Sequence, residues 1–354
     1  MDLEKALSYI ESSFLSSLLK NSNITDISYN GSDIYYLDNL LGRKKSDIHV
    51  SETTVKDFVR QLANISEKQF SYLVPKLDVT IGKYRFNVVH SSIGRVGNKE
   101  ATTFSIRIAS EKLLISDDSG FMPSVLCELF SVLLKSKCSI VISGVTGSGK
   151  TEFQKYLLSK MEKNTRIVII DNVLEIDNVR LSNELDVNSW QYDENNDNVS
   201  IQDLVKNALR SNPDWLLVAE ARGEEMLDVL NSAMTGHPII TTLHAFDNYS
   251  VPYRMARMVM MGKKNLSYED ALNDIHYHFR YFVYLKKKQD SDGKIIRYIS
   301  SIIQSDPSGE ANEIYSDDLE TKTFKKISKS QINMLELTDC SDEFIYKFVG
   351  NGNE

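Results

Sequence analysis

The run Gly144-Val145-Thr146-Gly147-Ser148-Gly149-Lys150-Thr151 constrains this chain more than any other feature. It has the spacing of a phosphate cradle: a glycine, four further residues, then Gly-Lys-Thr. An apolar run, residues 139–143, precedes it, and Phe153, Leu157 and Met161 follow at four-residue spacing, so the context reads strand, loop, helix. Each residue type has a physical reason. Glycines let backbone N–H groups turn inward and approach phosphate oxygens with no side chain in the way. The helix N-terminus adds partial positive charge. Lys150 is expected to reach the β- and γ-phosphates of a nucleoside triphosphate, and the Thr151 hydroxyl to ligate Mg²⁺. The expected ligands are ATP and Mg²⁺.

Around the cradle the pattern is α/β. Short apolar runs at 139–143, 167–170, 215–219 and 239–243 alternate with amphipathic segments. One segment carries Ile201, Leu204, Val205, Ala208 and Leu209 at helical spacing; another carries Met226, Val229, Leu230, Ala233 and Met234. This alternation implies a mainly parallel sheet over 138–354, ending in a hairpin and a helical extension. Upstream the pattern changes. Residues 3–19 have helical spacing, and Asn30-Gly31 is a hairpin turn signal between two apolar runs. Tyr84, Phe86 and Val88 alternate with polar residues, as do Phe104, Ile106 and Ile108, which puts Arg85 and Arg107 on polar strand faces. Residues 91–97, with Arg95, read as a loop. The expectation is a smaller α+β domain over 1–115 and a helical joint over 116–137, opened by Pro123 and carrying the stripe Val125, Leu126, Leu129, Phe130, Leu133 and Leu134. Residues 193–198 are too polar for either element and read as a surface loop.

At 354 residues the chain is long enough for two cores, and 42% apolar with 25% charged residues is a globular composition. A net charge of −8 argues against a protein that grips nucleic acid, so no direct nucleic-acid binding is expected. Cys127, Cys138 and Cys340 are too few and too dispersed for a zinc site or a disulfide framework. The N-terminus shows no basic stretch leading into an apolar one, and no apolar run approaches the roughly 18 residues that span a bilayer. A cytosolic protein is expected.

Hydrolysis needs an acid beyond the phosphates to orient water and share the metal's charge. Asp171, Glu175 and Glu220 stand at or near the ends of apolar runs, where a parallel sheet presents its ligand edge. A solvated strand terminus explains Glu175 as well as a functional role does. For Glu220 the functional role is the better reading.

Three segments carry a family resemblance. The run 207–223, Asn-Ala-Leu-Arg-Ser-Asn-Pro-Asp-Trp-Leu-Leu-Val-Ala-Glu-Ala-Arg-Gly, resembles the atypical Walker B segment of the secretion ATPases, the motors of type II secretion, type IV pili, tight-adherence pili and type IV secretion or conjugation. The run 235–245, with His237 and His244, resembles that family's histidine box, and 166–175 sits where it has an aspartate box. The resemblance implies a RecA-like P-loop domain preceded by a PAS-like α+β domain. It implies that Glu220 positions the attacking water and that Asp171 and Glu175 support the metal and the water. His244 would contact the γ-phosphate, and His237 and Arg222 would help arrange the nucleotide. Arg85, Arg95 and Arg107 would be the arginines of the smaller domain that reach the nucleotide, although a solvated surface position suits each of them equally. It also implies a hexameric ring at the cytoplasmic face of the membrane, working on a polytopic inner-membrane platform protein.

The sequence departs from the family in places. Asp171-Asn172 stands where Glu-Asp is usual, and Ala219 replaces a glycine, which would crowd the site. A four-cysteine metal module and a retraction-motor signature are both missing, which tilts the resemblance toward the tight-adherence and conjugation branch. Two other readings share the cradle, a RecA-like nucleic-acid motor and a non-hydrolysing nucleotide-binding scaffold. His276 and His278 form an H-x-H pair that lacks further ligands, Lys286-Lys287-Lys288 reads as a solvated hairpin end, and Arg254 and Arg257 share a helix face.

Overall fold

The computed structural model describes residues 3–110, 112–172, 175–176, 184–192, 199–262 and 266–350. The expected surface loop at 193–198 lies outside the described residues. The chain divides into two compact units, Met1–Glu111 with Gln289–Ile296, and Lys112–Lys288 with Arg297–Glu354.

The first unit opens with α1 (Leu3–Glu11) and α2 (Ser16–Leu19). The sequence pattern suggested one continuous helix here. The break falls where Ser12 Oγ donates to the Ser8 carbonyl (2.7 Å) and Ser13 Oγ accepts the Leu15 N–H (3.3 Å), so side chains compete with the helical ladder. Strands β1 (Ile24–Tyr29), β2 (Ile34–Asp38) and β3 (Gly42–Lys45) follow, then α3 (Glu52–Ile65), β4 (Lys76–Ile81) and β5 (Tyr84–Val89). The loop expected at 91–97 carries half of a small ribbon, β6 (Arg95–Val96) with β7 (Lys99–Glu100), before β8 (Thr103–Ile108). Six of these strands form an antiparallel sheet in the order β3-β2-β1-β8-β5-β4. One face is apolar because alternate residues point to it: Leu77, Val79 and Ile81 of β4, Tyr84, Phe86 and Val88 of β5, Phe104 and Ile106 of β8. Helix α3 is capped by Ser51, whose side chain accepts the Thr54 N–H, and lays Val55, Phe58, Val59 and Leu62 into that face.

The second unit is built on a nine-stranded sheet. Its parallel part comprises β9 (Ile140–Gly144), β10 (Arg166–Asp171), β11 (Asp186–Gln191), β12 (Trp215–Val218), β13 (Ile239–Leu243) and β14 (Tyr281–Gln289). Then β15 (Ile295–Ser305), β16 (Ala311–Asp317) and β17 (Lys322–Phe324) extend it as an antiparallel meander. The order is β11-β10-β12-β13-β9-β14-β15-β16-β17. Strands β9, β12 and β13 are buried along their whole length, as strands covered on both faces must be. Their side chains alternate between two cores. Ile140, Ile142, Ile167, Ile169 and Leu217 face a layer that includes α4 (Ser124–Lys135) and α5 (Lys150–Ser159). Val141, Val168, Ile170, Leu216 and Val218 face α6 (Ile201–Ala208), α7 (Met226–Met234), α8 (Ser250–Gly262) and α9 (Tyr268–His278). The segment read as a helical joint is thus a layer of this unit, with the Phe130 ring edge-on to Phe153 of α5 at 4.9 Å. A linear reading of the chain does not foresee that the tip of the β14–β15 hairpin, Gln289–Ile296, groups with the first unit, where the Ile295 N–H donates to the Leu40 carbonyl (2.7 Å). Among the described residues no helix is long and apolar enough to cross a membrane.

Candidate nucleotide site

Strand order places the site. After β9 the chain leaves through the loop at 145–149 into α5 and returns in β10, with β13 and β12 lying between the two strands. A parallel sheet that changes direction in this way opens a crevice at the carboxyl ends of its strands. Register brings four sequence-distant positions to that edge. Leu243 lies beside Ser143, so His244 comes next to Gly144. Thr241 lies beside Val218, and Val218 beside Ile170, which brings up Glu220 and Asp171.

Gly144 has φ +148°, and a Cβ there would stand 2.4 Å from the Leu285 carbonyl oxygen, so no other residue fits. Val145, Thr146 and Gly147 form the exposed crest of the loop. Ser148 is buried beneath it, its Oγ without a hydrogen-bond partner among the described residues. Gly149 caps α5 in the left-handed conformation, and Lys150 and Thr151 begin the helix. An orphaned hydroxyl, a lysine and a threonine at a helix N-terminus fit the oxygens of a phosphate chain and one face of a Mg²⁺ ion.

A chain of charged contacts crosses the strand ends. Lys150 Nζ donates to the carbonyls of Gly144 (3.0 Å) and Val145 (3.3 Å) and lies 3.4 Å from His244 Nδ1. His244 Nε2 is 3.2 Å from Glu220 Oε1, and Glu220 Oε2 accepts from Arg222 Nη2 at 2.9 Å. An ammonium can only donate, so Nδ1 is the acceptor and the His244 proton sits on Nε2, facing the carboxylate. Burial and the neighbouring Lys150 charge push the His244 pKa down, with Glu220 opposing in part. For Glu220 burial would raise the pKa, but the Arg222 hydrogen bond and charge, with the neighbouring His244 and Lys150 adding to them, outweigh it and hold the carboxyl below its ordinary range. At neutral pH the site therefore holds a carboxylate and an uncharged imidazole, one poised to accept a proton and the other to hydrogen-bond without added charge.

Second-layer contacts hold these groups. The Ala219 carbonyl accepts from Thr242 Oγ1 (2.7 Å) and Gln154 Nε2 (3.3 Å), tying α5 and β13 to the end of β12. Ala219 does not adopt a positive φ, so the methyl group that replaces the family's glycine strains no backbone. The buried Glu225 carboxylate accepts the N–H groups of Arg222 (2.5 Å) and Gly223 (2.9 Å), fixing the turn that aims Arg222 at Glu220. Replacing Glu225 by alanine strands both donors and is expected to cost about 1–3 kcal/mol. Denaturant unfolding should show that loss, and Glu225→Gln, which keeps an acceptor oxygen, should recover most of it.

Asp171 is buried, and its Oδ2 accepts the Glu175 N–H at 3.0 Å. Asn172 contributes its carbonyl to Gln191 Nε2 (3.0 Å), a backbone contact that does not depend on the side chain in which it departs from the family. Val173 and Leu174 of this box lie outside the described residues. Among the described residues there is no group of three or more His, Cys, Asp or Glu side chains arranged to hold a metal.

The structure corrects the expectation for His237. It precedes β13 at the amino end of the strand, while His244 follows the carboxyl end, so strand length separates His237 from the cradle. Its Nδ1 is 3.1 Å from Thr235 Oγ1. The three arginines lie in the first unit. Arg85 pairs with Asp78 (3.2 Å) and Arg95 with Glu100 (2.9 Å), while Arg85 and Arg107 are direct neighbours across β5 and β8. His276 is a packed core residue with Nδ1 2.5 Å from Ser305 Oγ. Lys286-Lys287-Lys288 does not simply mark a solvated turn: Lys287 and Arg297 both stand against the cradle. Sequence spacing carried no sign of Arg297, Glu225 or Gln154 at the site.

A RecA-like α/β sheet, a glycine cradle at its switch point and an acid-histidine pair at the neighbouring strand ends define a P-loop nucleotide-binding protein. The chain belongs to the type II/IV secretion system protein family, whose model matches residues 80–275. It is 30% identical over 294 residues to an uncharacterized protein of Bacillus anthracis, a match covering 80% of this chain and 65% of that protein's length. It is 26% identical over 257 residues to a putative conjugal transfer protein of Mycobacterium tuberculosis, covering 70% of this chain and 73% of the relative. The solved ATPase DotB of Legionella pneumophila shares the fold with a TM-score of 0.63 at 20% identity, covering 83% of this chain and 81% of that one.

Proposed function

We propose that this chain is an ATP-hydrolysing motor of a secretion, pilus-like or conjugation machine. The observation that carries the reading is the contact chain Lys150, His244, Glu220, Arg222 across the ends of β9, β13 and β12. Such an array supplies the parts that phosphoryl transfer to water requires. Lys150 exchanges the carbonyls of Gly144 and Val145 for the β- and γ-phosphate oxygens. Glu220, ionised and held by Arg222, orients the attacking water and accepts its proton. His244, neutral, donates through Nε2 to the carboxylate before the reaction and turns to the γ-phosphate when nucleotide binds, so its contacts report whether that group is present. Thr151 with Asp171 would hold Mg²⁺, which neutralises charge on the phosphate oxygens.

The smaller unit, read as a PAS-like domain, contributes the arginines. The adjacent Arg85 and Arg107, with Arg95, would neutralise charge that grows in the transition state. In that case Arg85→Ala, Arg95→Ala and Arg107→Ala should lower turnover more than ATP affinity, by up to about 10³-fold for the one that reaches the phosphates. Three unchanged rates, measured as phosphate release beside nucleotide binding, would remove them from the mechanism. The working form is a hexameric ring bound to the cytoplasmic face of the membrane through a polytopic platform protein, with nucleotide-driven domain movement as its output. Native mass spectrometry with Mg²⁺ and a slowly hydrolysed ATP analogue tests the assembly. A six-fold mass supports the ring, and a monomer under all conditions contradicts it.

A further inference from the structure

The cradle has a cationic wall that neither motif reading nor family resemblance assigns. Strand β14 pairs with β9 up to Leu285 beside Gly144, then continues to Gln289 while β9 has already turned into the phosphate loop. The extra residues therefore run alongside the loop. Lys287 Nζ stands 3.2 Å from where a Cβ on Gly147 would be, at the crest of the cradle. From β15, Arg297 Nε donates to the Gly147 carbonyl at 2.9 Å, and its Cδ lies 3.7 Å from where a Cβ on Gly149 would be.

The two residues face each other. The turn closes with the Asp290 N–H on the Lys294 carbonyl (2.9 Å), and Lys287 and Arg297 are each three positions inward from that pair. Two cations directly across a ladder repel, a cost that an anion between or beside them removes. The loop they flank is a glycine-rich turn into a helix N-terminus, shaped to receive an anion. Side-chain alternation separates Lys287 from its neighbours: Lys286 and Lys288 point to the other strand face, and the charge of Lys288 acts on Asp318.

We propose that Lys287 and Arg297 bind the phosphate chain of the nucleotide within one subunit, as a second source of positive charge opposite Lys150. The inference rests on the motor reading above, since it names further ligands of the same substrate. Arg297 fixes the crest through the Gly147 carbonyl and places its positive charge beside the phosphate loop. Lys287, exposed at the rim, closes on the phosphates as a point charge.

The test is equilibrium binding of a fluorescent ATP analogue with Mg²⁺ to the full chain at low and high salt. Lys287→Ala should raise Kd about tenfold at low salt and flatten the salt dependence. Lys287→Arg should bind within about twofold of wild type, and Lys287→Gln should resemble alanine. Arg297→Gln should also weaken binding, while Lys286→Ala and Lys288→Ala should match wild type. Because Lys287 is exposed, its variants should melt as wild type does. Wild-type affinity in Lys287→Ala, or an equal loss in Lys286→Ala, overturns the proposal and leaves the motor reading standing. A wild-type chain that binds no nucleotide overturns both.

Discussion

Replacing Glu220 by glutamine is expected to slow phosphate release by about 10²–10⁴-fold while ATP affinity stays close to wild type. The substitution keeps the size of the side chain and one oxygen for the Arg222 contact, but removes the charge proposed to accept a proton from water. The carboxylate is set up for that task by its surroundings: burial alone would favour the protonated form, and Arg222, His244 and Lys150 reverse the balance. Glutamine should leave the Arg222 and Lys150 cations in place around a neutral amide, so the phosphates of bound ATP meet, if anything, a more positive site. Single-turnover phosphate release beside equilibrium binding separates the two effects. If binding and turnover fall together, Glu220 shapes the nucleotide pocket and is not the residue that acts on water.

Lys150→Ala should behave differently. Lys150 is almost completely buried and points its ammonium at the crest carbonyls and at His244. Its loss removes the cation placed to meet the β- and γ-phosphates in the proposed mechanism. Removing a single well-placed donor of this kind costs about 10²–10³-fold in rate. Here the ground state loses the same contact, so ATP affinity should fall as well. The variant also leaves the carbonyls of Gly144 and Val145 and the Nδ1 of His244 without their shared donor. A stability loss of about 1–3 kcal/mol is therefore expected in the absence of nucleotide. Turnover near wild type in Lys150→Ala would mean that the cradle does not hold the reacting phosphates.

Much of this architecture was legible in the residues alone, for identifiable reasons. The cradle spacing has few physical solutions, and the short, mostly apolar runs at 139–143, 215–219 and 239–243 correspond to strands buried on both faces. Tyr84, Phe86 and Val88 alternate as a half-buried antiparallel strand must. What escaped was contact between distant parts of the chain. Arg297 reaches Gly147 only because β14 and β15 are added beside β9 and run past its end. Glu225 works through backbone N–H groups, which leave no trace in side-chain pattern. His237 and His244 looked equivalent as a frame around one apolar run, but a strand has two ends, and only one of them lies at the crevice. The opening helix was overextended because apolar spacing continued across Ser12 and Ser13, whose hydroxyls satisfy backbone groups that a helix would otherwise use.

The family match and the site geometry agree on a nucleotide-binding protein, and the central claim is that it consumes its nucleotide. The most direct measurement is phosphate release by the wild-type protein, assembled and saturated with ATP, with and without Mg²⁺. The account predicts steady release that requires Mg²⁺ and disappears in Glu220→Gln. An assembled protein that binds ATP, keeps it bound and releases no phosphate above the Glu220→Gln level would contradict it.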